Sequence, residues 1–223
     1  MTTPACVLFD LDGTLTDSAP GVTGSMAHTL GRLGYPVPPV HELWTLVGPP
    51  LESNFRRLTG QDGAELQHAI DTYREHYGTT GLLGSEPFAG IGDLLDDLRA
   101  DGRALAVASS KSVEFVERIL ANTGLLPFFD VVAGARENGR LSDKAVVVTE
   151  ALDRLATLGH DVTGAVLVGD REHDVIGARA RGIGCIFVTW GYGDAAEATG
   201  ADAVATSPEQ LAGLLGVRPR SRA

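Results

Sequence analysis

Five short, nearly unbroken apolar runs punctuate the chain: residues 5–9 (Ala-Cys-Val-Leu-Phe), 103–108 (Arg-Ala-Leu-Ala-Val-Ala), 130–134, 164–169 (Gly-Ala-Val-Leu-Val-Gly) and 184–189 (Gly-Cys-Ile-Phe-Val-Thr). Each has the length of a strand and lacks the polar alternation of a sheet face open to water, so each predicts a strand buried on both sides. A weaker sixth covers Asp202, Ala203 and Val204. Between the later runs, apolar positions recur with helical spacing over 90–101, 112–123, 143–158, 172–181 and 207–215. Strands and helices alternating in this way predict an α/β fold, a parallel sheet with helices on both faces.

Residues 16–84 break the alternation. They read as helices only, around 19–33, 39–46, 51–59 and 62–80, with stops at Gly34-Tyr35-Pro36 and Gly48-Pro49-Pro50. A helical block of this size has room to bury a small core of its own. It is expected to form a lid-like unit inserted after the first strand, hinged near 14–18 and 82–89. The chain shows no internal repeat.

Composition narrows the function classes. With 43% hydrophobic and 21% charged residues in 223, the chain has an ordinary soluble globular make-up. A net charge of −11 argues against a nucleic-acid polymer as partner, because phosphate-backbone affinity needs a basic surface. The one basic cluster, Arg218-Pro219-Arg220-Ser221-Arg222, reads as a flexible, solvated tail over 217–223. No apolar run is long enough to cross a bilayer and no signal segment is visible, so no membrane partner and a cytoplasmic location are expected. Cys6 and Cys185 fall inside strands and read as small core residues. Sixteen arginines stand against two lysines, Lys111 and Lys144. Lysine is a compact point charge suited to phosphate or carboxylate contacts.

In an open parallel sheet, ligands gather beyond the carboxyl ends of the strands. The first run leads into Asp10-Leu11-Asp12-Gly13-Thr14. Residues two apart in extended chain point the same way, so Asp10 and Asp12 can converge. Two carboxylates so close repel unless a shared proton or a cation relieves them, and oxygen ligands favour Mg²⁺ over zinc. Gly13 permits a turn with positive φ, and Thr14 offers a hydroxyl where a substrate oxyanion could sit. The same stretch also suits a plain strand followed by an acidic Asx-type turn. Ser109-Ser110-Lys111 ends the second run. Its hydroxyls, its lysine and a helix N-terminus suit a phosphate, or simply cap the helix. The fourth run ends in Gly169-Asp170-Arg171-Glu172-His173-Asp174, where two carboxylates four apart share a face. Lys144, in Leu141-Ser142-Asp143-Lys144-Ala145, opens a helix against the helix dipole, which hints that something else holds it there.

Taken in order, Asp-x-Asp-Gly-Thr, a helical insertion, Ser109, Lys144 and Gly-Asp-x-x-x-Asp resemble the haloacid dehalogenase superfamily of phosphohydrolases over nearly the whole chain. The place of the insertion resembles the helical-cap branch, which includes phosphoglycolate phosphatases and β-phosphoglucomutases. Val47-Gly48-Pro49-Pro50-Leu51 and the stretch from Gly169 to Ala178 are most similar to phosphoglycolate-phosphatase-like and 5′-nucleotidase-like members. The resemblance implies a Rossmann-like catalytic core of residues 1–15 and 85–216 and a small all-helical cap over 16–84. It implies Asp10 as nucleophile and metal ligand, and Asp12 as general acid/base with its backbone carbonyl on the metal. Ser109, Ser110 and Lys144 would bind phosphate, Ser110 through its N–H because many relatives carry Asn there. Asp170 would be the remaining carboxylate ligand and Asp174 would orient Lys144 or a metal-bound water. Mg²⁺ is then the cofactor and a small phosphorylated metabolite the partner, for a monomer or homodimer.

The implied reaction is hydrolysis of a phosphomonoester, of phosphoglycolate or nucleoside 5′-monophosphate type, through an aspartyl-phosphate. Asp12 argues against a dehalogenase of this superfamily, which lacks the second aspartate. The absence of any lysine before Lys111 argues against a capped phosphonate hydrolase. A β-phosphoglucomutase-like phosphotransferase stays open. A catalytically idle phosphate-binding or signalling protein would be expected to have lost a carboxylate or Lys144. His28, Tyr35, Trp44, Asn54, Arg56 and Arg57 are the cap candidates for substrate contact, although Trp44 also suits the cap core and the arginine pair suits solvent. Lys144 is expected to matter far more than Lys111.

Overall fold

The computed structural model describes residues 3–135 and 143–217. Strand β1 (Cys6–Phe9) is followed by the two-residue β2 (Thr16–Asp17). Helices α1 (Ala19–Leu33), α2 (Val40–Trp44), α3 (Leu51–Thr59) and α4 (Gly63–Thr79) come next, then β3 (Glu86–Pro87). The chain continues through α5 (Ile91–Ala100), β4 (Ala104–Ser112), α6 (Val113–Asn122), β5 (Val131–Ala135) and α7 (Lys144–Thr157). It then runs through β6 (Val166–Gly169), α8 (Glu172–Ala180), β7 (Gly184–Val188), β8 (Ala203–Ala205) and α9 (Pro208–Leu214). Leu141, Ser142 and the basic tail from Arg218 lie outside the described residues.

Six strands form one sheet in the order β5-β4-β1-β6-β7-β8, every neighbouring pair parallel. The pleat sends alternate residues to opposite faces. Val7, Phe9, Leu105, Val107, Val168 and Ile186 pack with α5, α6 and α9 on one face. Cys6, Leu8, Ala106, Leu167, Cys185 and Phe187 pack with α7 and α8 on the other. Each large aliphatic side chain so buried contributes about 1.5–3 kcal/mol, which is why these runs show no polar alternation. The two cysteines are free and buried.

Register places the chemistry. Phe9 is paired with Val107 on one side and with Val168 on the other. Asp10 is the next residue after Phe9, and Ser109 and Asp170 stand two residues after Val107 and Val168, so all three emerge at the carboxyl edge of adjacent strands.

Three details depart from the sequence expectation. The stretch after β1 is not helical throughout, because Thr16–Asp17 and Glu86–Pro87 form a small antiparallel ribbon that joins both ends of the insertion. Strand β4 continues to Ser112 through an irregularity between Ser109 and Ser112, so its helix starts later than Ser109-Ser110-Lys111 suggested. The insertion does not bury a separate core: Met26, Leu30, Phe55, Ile70 and Tyr77 belong to the apolar cluster that also covers one sheet face.

Candidate active site

Asp10 continues the ladder beyond β1, its N–H donating to the Val168 carbonyl at 2.9 Å. The turn that follows requires Gly13 twice over. Its φ is +83°, and a Cβ there would lie 2.3 Å from Asp170 Oδ2. The Thr14 hydroxyl donates to Asp170 Oδ1 at 3.1 Å. That bond corrects the expectation that Thr14 awaits a substrate oxyanion: it orients a carboxylate instead.

Lys144 explains its own odd position. The first residue of α7, it is 5% exposed, and its ammonium lies 2.9 Å from Asp10 Oδ1 and 2.7 Å from Asp174 Oδ1. It also donates to the Ala108 carbonyl at 2.9 Å. Burial pushes the ammonium pKa down, but Asp10 and Asp174 more than offset this and raise it. The stem runs along Gly177 of α8, where a Cβ would come within 2.5 Å of Lys144 Cγ. A glycine in this helix makes room for the lysine.

Asp170 and Asp174 are fully buried. The second oxygen of Asp170 accepts the Tyr192 N–H at 2.8 Å. Asp174 Oδ2 accepts the Arg171 N–H at 3.0 Å, closing the first turn of α8. Oxygens of Asp10, Asp170 and Asp174 lie within 4.8 Å of one another. Burial, then Asp174 and Asp10, push the Asp170 carboxyl up to about 8. Burial also raises Asp10, to about 6, against the opposing pull of Lys144. Three buried carboxylates face one ammonium, an excess matching the charge of one divalent cation, and the donor set is all oxygen. The cluster therefore suits a hard divalent ion, and it includes Asp174, which the sequence reading kept outside the ligand set.

Ser109 is 2% exposed at the cleft floor, and its Oγ accepts the Lys111 N–H at 3.3 Å. Ser109, Ser110, Asp10, Asp12 and Lys144 all line one cleft of about 1220 Å³ between the sheet edge and the helical insertion. Lys111 is there too, its ammonium 2.7 Å from Asp12 Oδ1 and 2.6 Å from the Tyr77 hydroxyl. The expectation of a minor Lys111 is at odds with this geometry. In the sequence, Ser109, Ser110 and Lys111 together suit a phosphate, and a lysine three residues beyond a strand is hard to aim before the irregular end of β4 is known.

The cap candidates fare less well. Of His28, Tyr35, Trp44, Asn54, Arg56 and Arg57, only Asn54 lines the cleft. Its amide donates to the Leu46 and Pro49 carbonyls, shaping the loop that carries Gly48. Arg56 is occupied by Glu52 and Asp62 at the surface, and Trp44 is 54% exposed rather than part of the core. Tyr73, Arg74 and Tyr77 of α4 face the cleft instead.

Sequence reasoning also missed Trp190-Gly191-Tyr192-Gly193, the loop beyond β7. A Cβ on Gly191 would sit 2.3 Å from the Gly13 carbonyl, and one on Gly193 would overlap the Asp170 carbonyl. Trp190 Nε1 donates to the Thr14 carbonyl at 3.0 Å. The Tyr192 hydroxyl accepts the Ser18 and Ala19 N–H groups at 2.7 and 2.9 Å and donates to Asp17 at 2.7 Å. It thereby ties the loop beyond β7, which also bonds Asp170, to the start of α1. Two glycines around an aromatic residue at a strand end were the available signal.

The fold and site together define a class: a parallel α/β sheet with an acidic, lysine-bearing carboxyl edge and a helical insertion after β1. The family profile for haloacid dehalogenase-like hydrolases matches residues 7–188, and the chain belongs to that family. It is 44% identical over 192 residues to the tyrosine-protein kinase PtkA of Mycobacterium tuberculosis, covering 86% of this chain and 64% of that protein, so it spans less than two thirds of that relative. It is 36% identical over 187 residues to a 5′-nucleotidase of Pseudomonas aeruginosa, with 84% of this chain and 83% of the relative covered. A crystal structure described as a predicted phosphatase from Clostridium acetobutylicum superimposes with a TM-score of 0.87 at 36% identity, over 96% of this chain and 99% of that one.

Proposed function

We propose that this protein is a Mg²⁺-dependent phosphatase that hydrolyses a small-molecule phosphomonoester through an aspartyl-phosphate on Asp10. The observation that carries the reading is the placement of Asp10: at the centre of the sheet edge, 2.9 Å from the Lys144 ammonium, in a cleft roofed by the helical insertion. Relatives named 5′-nucleotidase and phosphoglycolate phosphatase support the substrate class.

Asp10, Asp170 and the Asp12 carbonyl would hold Mg²⁺, with Asp174 close enough to share in it. When bound, the ion neutralises charge on the nucleophile and on the phosphoryl oxygens. Lys144 anchors the Asp10 carboxylate and offers charge to the transferring phosphoryl group. Ser109 and the Ser110 N–H hold the remaining phosphate oxygens. An Asp10 oxygen attacks phosphorus, and Asp12 protonates the departing alkoxide. Asp12 then takes a proton from the water that cleaves the acyl phosphate. The helical insertion excludes bulk water and selects the leaving group.

The test is a set of initial rates with Mg²⁺ on phosphoglycolate, sugar phosphates, nucleoside monophosphates and pyridoxal phosphate. Hydrolysis of at least one, lost in Asp10→Asn, is the expected result. Transfer of the phosphoryl group to a second sugar hydroxyl rather than to water would favour the phosphotransferase reading.

A further inference from the structure

Lys111 is one of two lysines in the chain, and the reaction as set out above gives it no task. Its ammonium bridges two parts of the molecule. On the core side it reaches Asp12 Oδ1 at 2.7 Å, and on the cap side it reaches the Tyr77 hydroxyl at 2.6 Å. Both partners in the ion pair are nearly enclosed, the side chains being 12% and 13% exposed. Tyr77 is itself held firmly. Its ring stacks on Tyr73 with centroids 5.4 Å apart, and it meets Phe115 of core helix α6 edge-on at 5.3 Å. One residue on, the Gly78 carbonyl accepts a bond from Arg118 of α6 at 2.6 Å. Residues 70, 73, 74, 77 and 78 of α4 all line the cleft, and their spacing is that of one helix face. The end of this face is linked to the Asp12 carboxylate through Lys111.

We propose that Lys111 is the positioning residue for Asp12 and that Tyr77 sets Lys111 from the cap, so that proton delivery to the leaving group depends on a seated cap. The proposal rests on the phosphatase reading. In the first half-reaction the bond from an Asp10 oxygen to phosphorus forms and the bond from phosphorus to the leaving oxygen breaks. The proton on Asp12 passes to that leaving oxygen. With Oδ1 engaged by the ammonium, Oδ2 is the oxygen left for the proton transfer. An alkyl phosphate releases a strongly basic alkoxide and needs the proton, whereas p-nitrophenyl phosphate releases a stable phenolate and does not. A lysine that merely bound phosphate would serve both esters equally.

The experiment measures kcat/KM, which covers steps up to formation of the aspartyl-phosphate, with Mg²⁺ present. The substrates are p-nitrophenyl phosphate and the best alkyl phosphate of the panel. In Tyr77→Phe, which keeps the ring, and in Lys111→Met, the ratio of the two values should shift at least about tenfold toward p-nitrophenyl phosphate, within the range general-acid loss produces. Equal losses on both esters in both variants would overturn the proposal, assigning Lys111 to phosphate binding or to packing. A shift in Lys111→Met without one in Tyr77→Phe would overturn the cap linkage. Failure of the wild-type protein on both esters would instead overturn the phosphatase reading itself.

Discussion

Replacing Asp170 by Asn should stabilise the metal-free protein while abolishing its stabilisation by Mg²⁺. Asp170 is fully buried, and its carboxyl is pushed up to about 8 by burial and then by Asp174 and Asp10, against 3.8 for an ordinary aspartate. The folded state therefore holds a proton that the unfolded state has released between those two values. Without metal, stability is greatest below about pH 4 for this group and is lost as pH rises to about 8. At ~1.4 kcal/mol per pKa unit, the full penalty above pH 8 is on the order of 6 kcal/mol, and local relaxation should reduce it to about 1–3 kcal/mol. Asparagine removes the charge and keeps both contacts: its carbonyl can accept the Tyr192 N–H and its amide can face the Thr14 hydroxyl. The assay is thermal unfolding in chelator at pH 5 and pH 8, repeated with Mg²⁺. Asp170→Asn should raise Tm by about 2–10 °C at pH 8, by much less at pH 5, and should respond weakly to Mg²⁺. A variant that is less stable than wild type at pH 8 in chelator, or that gains as much from Mg²⁺, would refute the reasoning.

Three further outcomes follow from the same geometry. Lys144→Met should destabilise the protein by about 3–5 kcal/mol, measured by denaturant unfolding, because Asp10 and Asp174 lose their shared ammonium; a neutral result would mean those carboxyls are not charged in the fold. Tyr192→Phe removes an acceptor for two N–H groups at the start of α1, and should lower stability by about 1–3 kcal/mol while weakening Mg²⁺ binding in a calorimetric titration. Gly177→Ala should displace the Lys144 stem and reduce kcat at least about tenfold in steady-state assays; a loss below about twofold would show that the stem position does not matter.

Much of the architecture was legible because buried parallel strands are nearly pure apolar runs, and because the polar residues that follow them stand out. Asp10, Asp12, Ser109, Asp170 and Asp174 were all marked in this way, and the register of β1 with β4 and β6 explains why these strand ends meet. Lys144 was legible for a different reason, its conflict with the helix dipole. The ribbon of Thr16–Asp17 with Glu86–Pro87 was hidden, since two residues carry no periodicity. Tyr192 was hidden because the contacts of its hydroxyl lie more than 170 positions away in sequence. The cap contacts failed for a related reason: which face of a short helix looks into a cleft depends on packing that composition does not reveal. Lys111 was marked by its rarity, but its aim depended on an irregular strand end.

The central claim is that phosphate passes through Asp10, and rapid acid quenching tests it most directly. Asp12→Asn protein with Mg²⁺ and p-nitrophenyl phosphate should form the aspartyl-phosphate readily, because this leaving group needs no proton, and should break it down slowly for want of a base. A burst of nitrophenolate close to one per protein molecule is expected. A hydroxylamine-labile phosphate on the peptide containing Asp10, absent when Asp10→Asn is added, is expected with it. Steady turnover with no burst and no phosphate on Asp10, or an adduct on another residue, would contradict the claim.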